Sequence, residues 1–380
     1  MVTRVLSAVL LSCSLIASLQ SAQPRYDVLI RRGHVIDGTG TAATIADIGI
    51  RDGRIVAVGQ LGDAAAARVL DAAGLTVTPG FIDVHSHAST GLAGALKEGR
   101  QLLAQGITTA ALNPDGGGPV DIKTQRATYE RQHVGINVML YVPHGSIRRE
   151  VLGMADRAPT AAELDRMIAL VRTGMTDGAI GLSSGLYYAP GSYAQLDEVI
   201  AMAKAAGEAG GVYESHIRDE ADYNIGVVAA VDEVIRVSEE GHLPGIVAHM
   251  KALGPASWGA SKTLVDHIRQ ARDRGVDVWA DQYPYDASGT GIVGALIPRW
   301  AEVGGRQEML KRIDGRERPR LLADIRKNFE RRGGPEKLVI SFYKPNPSLE
   351  GKSVAEVAKA MKRAPEEAVL DLLLKGDASL

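Results

Sequence analysis

The sequence has almost no cysteine and almost no net charge. Cys13 is its only cysteine, so a chain without its first 22 residues would contain neither a disulfide nor a thiolate metal ligand. The 43 Lys and Arg residues nearly balance the 45 Asp and Glu residues, so no net field favours nucleic acid or an anionic membrane. The stability of the chain must therefore come from packing, and we expect its partner to be a small molecule.

A largely apolar run lies at the N-terminus. It extends from Val5 to Leu19 after a single basic residue, Arg4, and is too short to span a bilayer comfortably. Small residues at positions 21 and 22 follow it, which predicts an export signal over residues 1–22 and a secreted or periplasmic protein without a membrane contact after cleavage. The alternatives are a buried segment or N-terminal anchor and, less favoured, lipoprotein anchoring at Cys13.

Two regions follow, with different patterns. Between Tyr26 and Gly74, short apolar stretches separated by the turn dipeptides Asp37-Gly38 and Asp52-Gly53 predict a small antiparallel β unit. Beyond Pro79, strand-like runs alternate with helical ones, which predicts a parallel sheet with helical crossovers. We therefore expect a small β domain over residues 23–78 and a barrel over residues 79–380.

Seven barrel strands are predicted. They end near His85, Asn113, His144, Ser184, His216, His249 and Asp281, with helices in several of the gaps. No G-x-G-x-x-G follows any of these strands, so a (β/α)₈ barrel is favoured over an open doubly wound sheet. Leu338 to Tyr343 is a candidate eighth strand, but Lys344 and Pro345 follow it instead of a carboxylate.

The strongest motif is Pro79-Gly80-Phe81-Ile82-Asp83-Val84-His85-Ser86-His87. Side chains two residues apart on an extended strand point the same way, so His85 and His87 can reach one metal ion. The C-terminal ends of barrel strands are where barrel enzymes keep their sites. His216 and His249 stand at comparable points, and neutral imidazole is the usual zinc ligand.

The other histidines and one aspartate have different settings. Asp115 follows the second strand and is either a bridging or capping carboxylate or a simple turn residue. His144 either contacts substrate or only fixes its loop. The remaining four, His34, His133, His242 and His267, are interpreted as surface residues.

These residues resemble the amidohydrolase superfamily, and in detail its D-aminoacylase branch, the N-acyl-D-amino-acid deacylases. The resemblance covers Tyr26 to the C-terminus, and its specific stretches are Thr78–His87, Gly106–Gly116, Gly181–Ala194, His216–Glu220, His249–Lys251 and Asp281–Tyr285. It implies a (β/α)₈ barrel with a small β-sandwich, one or two zinc ions, and hydrolysis of the amide bond of N-acyl-D-amino acids.

The resemblance also implies roles for individual residues. His85 and His87 would bind one metal ion, and His216 and His249 the other. Asp115 stands where family members often have a cysteine, and an oxygen ligand there would alter metal choice or stoichiometry. The substrate carboxylate would be held by Tyr188, Lys251 and Tyr283. The fourth strand lacks the modified lysine of cyclic-amide hydrolases, which counts against that activity.

One part of the family's site is not found. The catalytic aspartate at the end of the eighth strand, in a Ser-Asp-Gly-like turn before a His-Pro-Arg-like segment, has no counterpart in the sequence. We therefore expect a C-terminally truncated chain that folds poorly and has little activity, because the first and seventh strands would have unpaired edges. The alternatives to D-aminoacylase activity are another amidohydrolase activity, as a dipeptidase or cyclic amidase, and a catalytically inactive metal-binding fragment.

Overall fold

The computed structural model describes residues 25–380, which divide into two compact units. One unit ends at Gly80, and the other extends from Phe81 to Leu380. The predicted export signal and Cys13 lie outside the described residues. In the described part of the chain, no helix has both the length and the apolar character needed to cross a bilayer.

The first unit is a five-stranded mixed sheet. Its strands are β1 (Tyr26–Val35), β2 (Thr44–Arg51), β3 (Arg54–Gly59), β4 (Ala66–Asp71) and β5 (Thr76–Val77). The predicted antiparallel pairing is correct for β1 with β2 and for β2 with β3, which the turn at Asp52-Gly53 connects. It is wrong for β4, which runs parallel to β1, and the short β5 beyond the predicted unit is also parallel to β1. β3 and β4 lie at opposite edges of the sheet, so the connection between them crosses the sheet. The second layer of a β-sandwich remains a prediction.

The second unit contains a seven-stranded sheet in which all neighbours are parallel. The strands are β6 (Phe81–Asp83), β7 (Ile107–Leu112), β8 (Asn137–Pro143), β9 (Gly181–Gly185), β10 (Val212–His216), β11 (Gly245–Val247) and β12 (Val278–Ala280). They lie side by side in chain order, as expected when each crossover returns the chain to the adjacent position. Each strand ends within two residues of its predicted end.

The sheet is curled. The ring of His85, just after β6, lies 4.6 Å from the ring of His249, just after β11, although four strands separate β6 from β11 in the sheet. Tyr141 on β8 also donates a hydrogen bond across the sheet to the carbonyl of Val84, at 3.0 Å. This arrangement is consistent with a (β/α)₈ barrel that lacks a part.

Helices occupy the connections and the C-terminal region. They are α1 (Ser89–Leu92), α2 (Arg100–Leu103), α3 (Ile122–Gln132), α4 (His144–Leu152), α5 (Ala161–Thr176), α6 (Leu196–Glu208), α7 (Val227–Gly241), α8 (Ser261–Asp273), α9 (Ile292–Leu296), α10 (Arg299–Glu302), α11 (Arg306–Asp314), α12 (Arg318–Arg331), α13 (Val354–Met361) and α14 (Pro365–Lys375). The apolar faces of α5 to α8 pack with the sheet in one large core.

The C-terminal region forms a second apolar core. Helices α9 to α14 supply most of its residues. Leu338 to Tyr343 does not join the seven-stranded sheet and makes only isolated bridges, from Val339 to Ser353 and from Phe342 to Ser379. The candidate eighth strand therefore packs with the helices.

A close approach between backbones fixes the segment after β7. Asn113 and Asp115 both have left-handed backbone conformations, with φ of 65° and 57°. The carbonyl oxygen of Asp115 lies against β9, where a Cβ atom on Gly185 would be only 2.2 Å away from it. Gly185 is therefore required at this position because the turn that carries Asp115 rests directly on the end of β9.

Replacing Gly185 by alanine should displace this turn. We expect Gly185→Ala to lower the free energy of unfolding by about 1 to 3 kcal/mol, because backbone atoms must move to admit the methyl group. Gly117→Ala is the matched control, since Gly117 is exposed, has negative φ, and its added Cβ would meet nothing closer than 3.8 Å. Urea denaturation measures both. Equal stability of the two variants would contradict the close approach.

Candidate metal centre

Two histidines follow the end of β6. The side chain of His85 is 10% exposed and that of His87 is 68% exposed, and their ring centroids are 5.2 Å apart. His85 directs Nε2 towards Asp115 Oδ1 at 3.5 Å, and His87 directs Nε2 towards Asp115 Oδ2 at 3.4 Å. The two imidazoles thus meet at one carboxylate, which the turn after β7 supplies.

The other two histidines reach the same carboxylate from β10 and β11. His216 Nδ1 lies 3.4 Å and His249 Nε2 lies 3.9 Å from Asp115 Oδ1, and the two rings are 4.5 Å apart. His249 has a left-handed backbone with φ of 37°, which its backbone amide's hydrogen bond to Asp281 helps to hold. Four imidazoles from three strand ends therefore surround Asp115.

These five side chains form two overlapping groups of possible metal ligands. One is His85, His87 and Asp115, and the other is Asp115, His216 and His249, with the ligand atoms of each group within 4.8 Å of one another. Two ligands bound to a tetrahedral zinc ion at 2.0 to 2.1 Å lie roughly 3.3 Å apart. Three of the four N–O distances, 3.4 to 3.5 Å, are close to that value.

The charge on Asp115 is strongly favoured. Burial opposes its ionisation, but the close imidazoles of His216, His249 and His87 outweigh burial and hold its pKa well below the usual range. Burial likewise lowers the pKa of His249, yet its contacts with Asp115 and Glu220 raise that pKa to about 9. Protonated His249 thus has two anionic neighbours, Asp115 and Glu220.

Two glutamates complete the surroundings, and the sequence analysis missed both. Glu214 is fully buried on β10, and its Oε1 lies 2.7 Å from His85 Nδ1. Burial and the charges of Asp115 and Asp281 raise its pKa well above the usual value. Its position two residues before His216 places both side chains on one face of the strand, which is a signal available in the sequence.

Glu220 is the second missed residue. It lies four residues after His216, and its Oε1 is 3.8 Å from His216 Nε2 and 3.1 Å from His249 Nδ1. It also accepts a hydrogen bond from Lys251. No regular element joins it to His216, so only the fold brings the two together.

The three predicted carboxylate-binding residues lie close to these histidines. Lys251 Nζ is 3.0 Å from His249 Nδ1 and 5.6 Å from the centre of the Tyr283 ring. Tyr188 lies 4.6 Å from the His216 ring, and its hydroxyl is 3.1 Å from Thr290 Oγ1. Burial raises the pKa of Tyr283 to about 12, and burial followed by the charge of Asp115 raises that of Tyr188.

His144 is the one predicted site residue that the structure does not bring here. It begins α4, is fully buried, and its Nε2 lies 3.0 Å from Glu198 Oε1. Glu198 also pairs with the buried Arg148. Of the two roles considered, substrate contact and fixing its loop, this environment fits the second. The histidines interpreted as surface residues, His34, His133, His242 and His267, are exposed or partly exposed.

All the remaining candidates line one cavity of about 630 Å³. The carboxylates at its surface are Asp83, Asp115, Glu220 and Asp281, and the permanent cations are Lys251 and Arg332. This volume suits a small molecule. Arg332 is a lining residue that the sequence analysis did not identify, because it lies far along the chain, just after α12.

Comparison with known proteins identifies the family of the chain. A family model described as "Amidohydrolase family" matches residues 68–304. The chain is 34% identical over 357 residues to N-acyl-D-glutamate deacylase of Alcaligenes xylosoxydans xylosoxydans, covering 88% of this chain and 65% of that protein. It is 33% identical over 296 residues to D-aminoacylase of the same organism, covering 71% of this chain and 60% of that protein.

A solved structure is similar over most of the chain. The crystal structure of N-acyl-D-glutamate deacylase from Bordetella bronchiseptica, complexed with zinc and a phosphonate inhibitor that mimics the tetrahedral intermediate, has a TM-score of 0.76 at 30% identity. The match covers 93% of this chain and 71% of that one. By contrast, the chain spans less than two thirds of the length of the two Alcaligenes relatives named above. With its family model, its relatives and its fold in agreement, the chain belongs to the amidohydrolase family.

Proposed function

We propose that this protein is a zinc-dependent hydrolase of the amide bond in N-acyl-D-amino acids. The observation that carries this proposal is the meeting of four imidazoles at the Asp115 carboxylate, on the rim where barrel enzymes hold their sites. The similarity to deacylases of N-acyl-D-glutamate supports the linear amide and the D configuration. Export to the periplasm or medium is a further part of the proposal, and it rests on the N-terminal sequence pattern.

The residues present fit a zinc site. Both ring nitrogens of His216 and Oδ1 of Asp115 are buried and have no hydrogen-bond partner among the described residues. Buried polar atoms are normally satisfied, so these atoms are arranged for a ligand that the protein itself does not supply. Four imidazoles and one carboxylate suit zinc, and the sharing of Asp115 between the two groups allows one or two ions.

A bound zinc ion supplies Lewis-acid chemistry, polarising the acyl carbonyl and lowering the pKa of water from ~15.7 to ~7. The protein's own task is to orient the ligands. A metal on His85 Nε2 requires the proton on Nδ1, and Glu214 is the acceptor for that proton at 2.7 Å. The cation would also offset the burial that raises the pKa of Glu214.

The substrate carboxylate would be held beside these ligands. Lys251 offers an ammonium group next to His249, and the hydroxyls of Tyr188 and Tyr283 are neutral donors because burial raises their pKa values. Binding there would set the amide carbonyl next to Asp115 and the histidines. β9, the fourth strand of the seven-stranded sheet, contains no lysine, which favours a linear amide substrate over a cyclic one.

The first prediction concerns the metal. Zinc-loaded protein should hydrolyse N-acetyl-D-methionine at a low rate, because the catalytic aspartate implied by the resemblance has no counterpart in the sequence. The L enantiomer should stay nearly untouched, and chelation should abolish hydrolysis until zinc is restored. Metal analysis and release of free amino acid measure both properties. Hydrolysis that persists without metal would contradict the proposal. Stoichiometric zinc binding without hydrolysis of any N-acyl-D-amino acid would instead identify an inactive metal-binding protein.

The second prediction concerns Asp115. Asp115→Ala should weaken zinc binding by about 10- to 100-fold, because it removes the carboxylate shared by both ligand groups. Asp115→Cys should keep much of the affinity, since thiolate is a strong zinc ligand. Competition with a chelating dye measures the affinities. If alanine and cysteine variants bound zinc equally, Asp115 would have no part in the metal centre.

The third prediction concerns Lys251. Lys251→Met should lower kcat/KM for N-acetyl-D-methionine about 10- to 100-fold, the worth of one charge-assisted hydrogen bond, with zinc content unchanged. Lys262→Met is the control, because the Lys262 side chain is 85% exposed and lies on α8 away from the cavity. Steady-state kinetics and metal analysis test the pair. Equal activity of the two variants would exclude Lys251 from substrate binding.

A further inference from the structure

Arg332 is a partly buried cation in the wall of the candidate active site. It follows α12 and lines the cavity that holds the four histidines. Its Nε donates to the hydroxyl of Tyr223 at 2.7 Å, and its Nη2 donates to the hydroxyl of Tyr187 at 3.2 Å. Both partners are neutral phenols, so neither offsets the guanidinium charge.

Three other arginines with little exposure each have a carboxylate partner. Arg148 pairs with Glu198, Arg218 with Glu233 at 2.8 Å, and Arg299 with Glu302 at 2.6 Å. Within residues 25–380, Arg332 has no carboxylate oxygen within 4.0 Å. A charge withdrawn from water without a counter-ion is costly, so a cation held this way by two tyrosines is suited to an anionic ligand.

The position of Arg332 differs from that of Lys251. Lys251 lies directly beside the histidines, with Nζ 3.0 Å from His249 Nδ1. Arg332 lies one aromatic ring further away, because it bonds to Tyr187, whose ring is 5.5 Å from that of His216. A ligand that placed one carboxylate at Lys251 would need a second anionic group to reach Arg332.

The cavity has room for such a ligand. Lys251, Leu253, Tyr283, Thr290 and Arg332 line both the 630 Å³ cavity and an adjoining one of about 770 Å³. Arg332 thus stands where the two spaces meet. A group extending from the reacting amide would pass this guanidinium.

We propose that Arg332 binds a second carboxylate of the substrate, so that the site prefers dianionic N-acyl-D-amino acids. The proposal rests on the function proposed above, and it goes further by naming the substrate class and the residue that selects it. The second carboxylate can belong to the D side chain or to the acyl group. Both sources offer the same chemistry to the guanidinium, which can bind it through two parallel hydrogen bonds.

Binding to the metal-free full chain tests the proposal without turnover. Two matched pairs separate the sources: N-acetyl-D-glutamate against N-acetyl-D-glutamine, and N-succinyl-D-alanine against N-butanoyl-D-alanine. We expect the wild-type chain to bind the dianion of at least one pair about 10- to 100-fold more tightly in calorimetry. The pair that shows the preference identifies the source. No preference in either pair would overturn the proposal, whatever the variants do.

Variants then assign the preference to Arg332. Arg332→Gln should remove it while leaving affinity for the neutral member within about twofold, and Arg332→Lys should keep part of it because the charge remains. Arg326→Gln is the matched control, since Arg326 lies on α12, the helix just before Arg332, is 57% exposed and does not line the cavity. Thermal unfolding checks that each variant is folded.

The outcomes of this proposal and of the proposed function are distinct. An equal loss of affinity for both members of a pair in Arg332→Gln would overturn the proposal, because Arg332 would then bind the carboxylate that they share. A dianion preference lost only in Arg332→Gln supports it, even if the zinc-loaded chain hydrolyses neither compound. In that case the hydrolase function alone would fail.

Discussion

The contact between Asp115 and four imidazoles is the interaction on which the site depends. Its oxygens lie 3.4 to 3.9 Å from a ring nitrogen of His85, His87, His216 and His249. Four imidazoles crowded together without a central group would repel once protonated and would leave ring nitrogens unsatisfied. The carboxylate, and a cation beside it, make this arrangement favourable. The left-handed turn after β7, which rests against the end of β9, holds the Asp115 carboxylate in this place.

Curling of the parallel sheet makes the contact possible. Strand β6 would be distant from β10 and β11 in an open sheet, yet His85 after β6 lies against His249 after β11. A strand fixes which residues face inward, and the curl fixes which inward residues meet. Glu214 shows the same principle, because it shares a strand face with His216 and reaches His85 on the far side of the sheet.

Periodicity and spacing predicted what depends on single strands. The ends of all seven parallel strands and the convergence of His85, His87, His216 and His249 follow from alternating patterns and from the barrel rule that sites lie on one rim. Tertiary contacts decided the rest. Alternation does not report strand direction, so the parallel pairing of β4 was not foreseen. The sequence around a histidine also does not show whether its side chain is buried, so only the structure shows that His144 contacts Glu198.

The distribution of charge in the cavity connects metal binding with substrate binding. Its lining carries four carboxylates and two permanent cations, and the raised pKa of His249 adds a further positive charge near neutral pH. Without a metal ion, the ammonium group of Lys251 donates a hydrogen bond to the carboxylate of Glu220. A divalent cation beside Asp115, His216 and His249 would compete for Glu220, which lies close to both histidines. It would make the local potential more positive and free the ammonium group. The carboxylate that Lys251 would hold is therefore matched to the metal-loaded site. Arg332 lines the cavity without a carboxylate partner, so its charge is available to a ligand whether or not metal is present.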